Sequence, residues 1–200
     1  MVHHHPRLPA PSTLRQFHEM LDIIASTEDS ETHFECMKIA ELLVGRELDD
    51  MAAMAAELEE LYLMHNRIQT IEHLEACTSL RKVSLRANRI EGIGGLQSCT
   101  QLRELELYEN QITTLTGLEG LRHLTTLDVS FNQLGRIEGL ASAGLEALSS
   151  LYLAHNRIER IEGLSGLPSL QLLELGSNSL RRVENLAGVP TLTELRLGRN

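Results

Sequence analysis

Asparagine recurs in this chain at positions 66, 88, 110, 132, 156, 178 and 200, always 22 residues apart except for one interval of 24. A period of that length, repeated that often, leaves few architectures open. It marks a stacked array, in which each unit is one turn of a solenoid and touches only its neighbours. Around each Asn the same apolar frame returns, with Leu58, Leu61, Leu63, Ile68, Ile71 and Leu74 in the first unit. In the third it is Leu102, Leu105, Leu107, Ile112, Leu115, Leu118 and Leu121. The consensus is LxxLxLxxNxIxxIxxLxxLxx. Six full units run from Leu58 to Thr191, and Leu192 opens a seventh.

The spacing within a unit has a direct physical reading. In the LxL segment the two leucines point to one side and their neighbours to the other, as in a strand. The later apolar positions turn inward from a helical or irregular return segment, so each unit is a coil with an aliphatic interior. Composition agrees: 42% of the residues are hydrophobic, yet there is no Trp and only three Tyr and three Phe. A buried Leu or Ile contributes roughly 1.5–3 kcal/mol relative to exposure, but one coil cannot cover its own faces. Stacking is therefore obligatory. The repeated Asn follows the strand, where the chain turns while buried peptide groups still need partners, and a row of amides can serve the backbone of adjacent coils.

Departures from the frame are equally readable. Cys77 and Cys99 occupy the interior position filled by Leu121 and Leu167 in other units, which makes them small buried hydrophobes rather than reactive thiols. Two extra residues fall around Ala141 to Ala147, after the strand and turn of the fourth unit, so they should bulge on the convex side and leave the strands in register. Ahead of the array, residues 1–11 are rich in Pro and His and read as a disordered tail. Leu14, Phe17, Leu21 and Ile24 then show helical spacing, and Thr32 with Glu35 forms a capping-box pair. Residues 12–57 are accordingly expected to form an α-helical cap over the first coil. The overall expectation is an α/β solenoid with a parallel concave sheet over residues 58–200. Leu192, Leu195 and Leu197 would have no cover on their far side, as in a fragment of a longer protein.

Several function classes are disfavoured by the same residues. A formal net charge of −10 runs against binding nucleic acid, which needs clustered Lys and Arg. No apolar run of 18 residues occurs, and MVHHHPRLPAPST lacks the apolar stretch of a signal peptide, so no membrane association is expected. The three Cys, at 36, 77 and 99, show no CxxC spacing, and His65, His73, His123 and His155 lie in different units. No metal, cofactor or disulfide framework is expected. The expectation is a monomeric intracellular protein of the nucleus or cytoplasm.

What remains is a binding surface. The mid-strand positions, Tyr62, Ser84, Glu106, Asp128, Tyr152, Glu174 and Arg196, form one row across the predicted sheet, with neighbours about 5 Å apart. All four aromatics of the array, Tyr62, Tyr108, Phe131 and Tyr152, lie in the strand segments or just after them. Aromatics on a rigid exposed surface beside carboxylates suit a protein-binding hot spot. Glu106, Tyr108, Asp128, Phe131, Tyr152, Glu174 and Arg196 are the candidate contact residues, and Phe131 has packing over the strand end as its alternative. Glu104, Glu106, Glu109, Asp128 and Glu174 make the middle of the face acidic, between Lys82 and Arg86 on one flank and Arg196 and Arg199 on the other. Glu106 and Asp128 on neighbouring strands resemble a glycosidase carboxylate pair in spacing. An open, solvated row with no nucleophile beside a base argues against catalysis.

The 22-residue unit with Ile two places after the Asn resembles the leucine-rich-repeat subclass typified by the regulatory subunit of protein phosphatase 1. The likeness is carried by LDVSFN at 127–132, RIEGL at 136–140 and LLELGSNSLRRVENL at 172–186. It implies a non-enzymatic regulatory subunit whose mid-strand residues dock the catalytic subunit of a type 1 serine/threonine phosphatase. By position, Asp128, Tyr152 and Glu174 match the acidic and aromatic alternation of that family. Arg196 stands where the resemblance places another aromatic. The family's later repeats and C-terminal cap have no counterpart in these residues, and the helical segment differs from the acidic disordered tail the resemblance implies. Dynein light-chain and splicing-factor relatives share the pattern, which leaves a ciliary, cytoskeletal or ribonucleoprotein adaptor as the second reading.

Overall fold

The computed structural model describes residues 55–200. The predicted tail and nearly all of the predicted helical cap, with Cys36, lie outside them. Seven three-residue strands follow one another through the described residues: β1 (Glu60–Tyr62), β2 (Lys82–Ser84), β3 (Glu104–Glu106), β4 (Thr126–Asp128), β5 (Ser150–Tyr152), β6 (Leu172–Glu174) and β7 (Glu194–Arg196). They pair in sequence order as one parallel sheet, with Leu61, Val83, Leu105, Leu127, Leu151, Leu173 and Leu195 in one cross-strand row. Each strand adds one rung and the chain then returns to begin the next, the parallel solenoid that the 22-residue period predicts.

The return segments resolve as irregular chain rather than α-helix. Inward side chains follow one another at intervals of three, as in Ile112, Leu115, Leu118, Leu121 and Leu124, all fully buried. An α-helix would need a 3.6-residue period to keep one stripe inward. Three-residue steps suit chained turns, and among the described returns the one regular helix is a 3-10 turn at Leu186–Gly188. The interior is one continuous aliphatic column that includes Cys77 and Cys99, both wholly buried. Burial pushes the Cys77 thiol up to about 11 and the Cys99 thiol to about 12. The two-residue insertion leaves Thr126 paired with Ser150 and Asp128 with Tyr152, so register survives. Ala141, Ser142 and Gly144 are exposed there while Ala143 and Leu145 stay in the core.

The repeated Asn does the work expected of it. Asn132 is typical: its Nδ2 donates to the carbonyls of Leu107 at 2.9 Å, Val129 at 3.1 Å and Ser130 at 3.1 Å, while Oδ1 accepts the N–H of Ile112 at 2.8 Å. The same set recurs at Asn88, Asn110, Asn156 and Asn178. The residue before each Asn, from His65 to Arg199, has φ between 52° and 62°. That left-handed kink ends the strand side of every coil and aims the amide inward. No helix among the described residues is long and apolar enough to cross a membrane.

A candidate binding face

Because side chains alternate along each strand, the residues on either side of the central apolar residue of each rung (Val83 in β2, Leu in the others) are directed away from the core. The structure aligns the mid-strand row across neighbouring strands: Tyr62, Ser84, Glu106, Asp128, Tyr152, Glu174 and Arg196. Six of these seven side chains reach solvent. Ser84 is the correction, for it is fully buried. Its short side chain lies beneath its larger neighbours, and its Oγ donates to Glu106 Oε2 at 2.8 Å.

The charge pattern is also more self-contained than the sequence suggests. Lys82 Nζ sits 2.8 Å from Glu104 and 3.3 Å from Glu106, so the flanking cation and the acidic middle are partners rather than separate zones. The hydrogen bond to Glu104 leads in holding the Lys82 pKa above the usual ammonium value. Asp128 Oδ1 accepts the N–H of Ser130, and Glu174 Oε1 that of Gly176, both at 2.9 Å. These two carboxylates fasten the backbone that follows their own strands. Arg196 lies 2.6 Å from Glu194 and 3.7 Å from Glu174. The hydrogen bond to Glu194 leads in raising its pKa. At the other end Tyr62 donates its hydroxyl to Glu60 at 2.8 Å, which keeps its pKa above the ordinary phenol value.

Beside this row runs a second feature, built at the C-terminal ends of the strands. The Phe131 ring stacks on His155, centroids 3.9 Å apart and 20° from parallel, and meets Tyr108 at 4.8 Å and 50°. Arg86 lies over the Tyr108 ring, 5.1 Å from its centroid. Phe131 is thus packed over the strand ends and still 40% exposed. Of its two alternatives, packing over the strand end is the one these ring contacts show. His155 and Arg86 are not among the contact residues that the sequence row marks. Their signal is positional: His155 shares the place before Asn with Phe131, and Arg86 shares the place two before Asn with Tyr108.

Among the described residues no group of three potential ligands could hold a metal ion. Glu106 and Asp128, the carboxylate pair considered for catalysis, are each engaged as above in an open face. The repeating coil, parallel sheet and Asn ladder define a solenoid built to present one long surface. Family models described as leucine-rich repeats match residues 56–98, 100–142 and 122–180, and the chain belongs to the leucine-rich-repeat family. Such repeats generally mediate protein–protein interactions and are typically non-enzymatic scaffolds. Among solved structures, an internalin (inlF) of Listeria monocytogenes is 32% identical with a TM-score of 0.63, over 74% of this chain and 44% of that one. Internalin C2 of the same organism is 26% identical, TM-score 0.58, over 74% and 75% of the two chains. The leucine-rich-repeat domain of APL1B shares the fold at 22% identity, TM-score 0.62, over 75% of this chain and 45% of that one. This chain therefore spans less than half of the inlF internalin. No curated protein matches its sequence.

Proposed function

We propose that this chain is a non-enzymatic regulatory subunit that docks the catalytic subunit of a type 1 serine/threonine protein phosphatase on the solvent face of its sheet. The observation that carries the reading is the run Asp128, Tyr152, Glu174 on β4, β5 and β6, which stand side by side in register. A rigid aromatic between two carboxylates offers a hot-spot anchor flanked by groups that select a basic partner surface. Arg196 ends the run with a cation, and Lys82 neutralises the acids on its other side, so the complementary patch on the partner is short. The intracellular location, nuclear or cytoplasmic, belongs to the same proposal. Titrating the purified full chain with purified type 1 catalytic subunit tests it. Saturable binding that weakens at least tenfold in a Tyr152→Ala variant is expected. Absence of binding overturns the phosphatase reading and returns the face to the adaptor alternative, for which capture from extract on wild-type and Tyr152→Ala protein is the comparison.

A further inference from the structure

The return segments after β4, β5 and β6 carry a surface that the sheet face does not use. Arg136, Arg160 and Arg182 are each the fourth residue after their repeat Asn, at 132, 156 and 178, so successive coils stack them in a column. Arg157 and Arg181 flank it. Together they line two adjoining grooves of about 440 and 310 Å³ that share Glu159 and Arg160. Five arginines there face three glutamates, at 159, 162 and 184, a local excess of positive charge in a chain of net charge −10. Arg160 is paired with Glu184 at 3.1 Å, whereas Arg136, Arg157, Arg181 and Arg182 have no carboxylate within ion-pair distance among the described residues. All four are exposed. The core beneath them is aliphatic and complete, so these guanidinium groups are not needed to hold the fold.

From this we infer that the flank is a second binding site, for an acidic segment of a protein. Guanidinium groups at coil spacing offer planar, bidentate partners for carboxylates. The interleaved glutamates favour a peptide of mixed or intermittent acidity over the uniform charge of a nucleic-acid backbone, which they would repel. The site stands apart from the sheet face and does not rest on the phosphatase reading. The test titrates a fluorescein-labelled peptide of alternating glutamate and alanine into the full-length wild-type chain and into Arg136→Gln/Arg157→Gln/Arg182→Gln. A second triple, Arg89→Gln/Arg103→Gln/Arg122→Gln, removes equal charge outside the groove. Salt-sensitive binding that falls at least tenfold in the first triple and less than threefold in the second is expected, with unchanged melting temperatures confirming both folds. Equal losses in the two triples, no binding by wild type, or tighter groove-dependent binding of a single-stranded RNA oligonucleotide would each overturn the inference.

Discussion

The side-chain oxygen of Asn110 accepts the peptide N–H of Ile90, 3.0 Å away and one coil back. Its amide nitrogen donates to the carbonyls of Leu85 and Leu107 at 3.0 and 3.1 Å, so one buried side chain stitches two coils together. Removing it strands several buried backbone groups, each costing about 1–3 kcal/mol when unsatisfied. Asn110→Ala is therefore expected to lower unfolding free energy by roughly 3 kcal/mol or more. Asn66 gives the contrast: its Nδ2 bonds within its own coil, to Met64 at 3.0 Å, and its Oδ1 has no partner among the described residues. Asn66→Ala should cost about 1 kcal/mol. Denaturant unfolding of the two variants checks the ranking, and equal losses would refute the ladder as the source of the difference.

The buried thiols give a pH dependence of definite sign. Desolvation raises Cys77 to about 11 and Cys99 to about 12 from the ordinary thiol value of 9.0. Below pH 9 both states keep the proton and nothing changes. Above it the unfolded chain gives up protons that the folded chain retains, so stability is lost as pH rises from about 9 toward the folded values. The slope approaches about 1.4 kcal/mol per pH unit per thiol. Between pH 9 and 10, a Cys77→Ala/Cys99→Ala chain should show a flatter decline than wild type, although less stable at pH 7. Parallel curves would mean that burial does not control these thiols.

Much of this architecture is legible from sequence because each constraint acts on every coil. The Asn interval, the LxL alternation and the buried position of Cys77 and Cys99 all follow from one side chain having to meet its counterpart one coil away. What escapes is what depends on neighbours of unlike kind. Ser84 sits in the same strand register as Tyr62, and only the sizes of the side chains around it decide that it is covered. Lys82 lies on a different register position from Glu106, and its reach across to it depends on a rotamer. The column of left-handed residues at His73, Gly95, Gly117, Gly139, Gly163 and Asn185 mixes three residue types, which hides a shared backbone requirement behind unlike side chains.

For the sheet face, the bonds from Asp128 to Ser130 and from Glu174 to Gly176 change which substitutions are informative. Alanine at either position costs a backbone bond of about 0.5–1.5 kcal/mol as well as a charge, so lost affinity and lost stability would be confounded. Asp128→Asn and Glu174→Gln keep an acceptor oxygen and remove only charge. Combined with Tyr152→Ala they should shift unfolding free energy by less than about 1 kcal/mol and weaken partner binding by roughly 1–2 kcal/mol or more. Leu153→Ala, beneath the face and fully buried, should cost roughly 2–5 kcal/mol of stability instead. Calorimetric binding and thermal unfolding on the same preparations separate the two effects. Full affinity in the surface triple would move the site off this row.

Two glycines in one return segment test how closely the coils stack. Gly117 and Gly120 have left-handed φ values of 94° and 87°, so alanine is strained at both by about 1 kcal/mol or more. Their surroundings differ completely. A Cβ on Gly117 would lie 1.6 Å from the carbonyl oxygen of Ile93 in the preceding coil, whereas one on Gly120 meets nothing within 4 Å. The obstacle at Gly117 is backbone held in the stack, so it cannot swing aside as a side chain would. Asn185, at the equivalent place two coils later than Gly139, keeps the left-handed backbone and donates its Nδ2 to the Ile161 carbonyl at 2.7 Å. From Gly95 onward, where the facing coil is among the described residues, the column thus holds either glycine or a residue that bonds to the facing carbonyl. Gly120→Ala should cost about 1–2 kcal/mol. Gly117→Ala should cost more than about 3 kcal/mol, because coil separation must increase against a packed aliphatic core. Urea unfolding of both variants measures the difference, and similar losses would show that the coils are spaced more loosely than this contact requires.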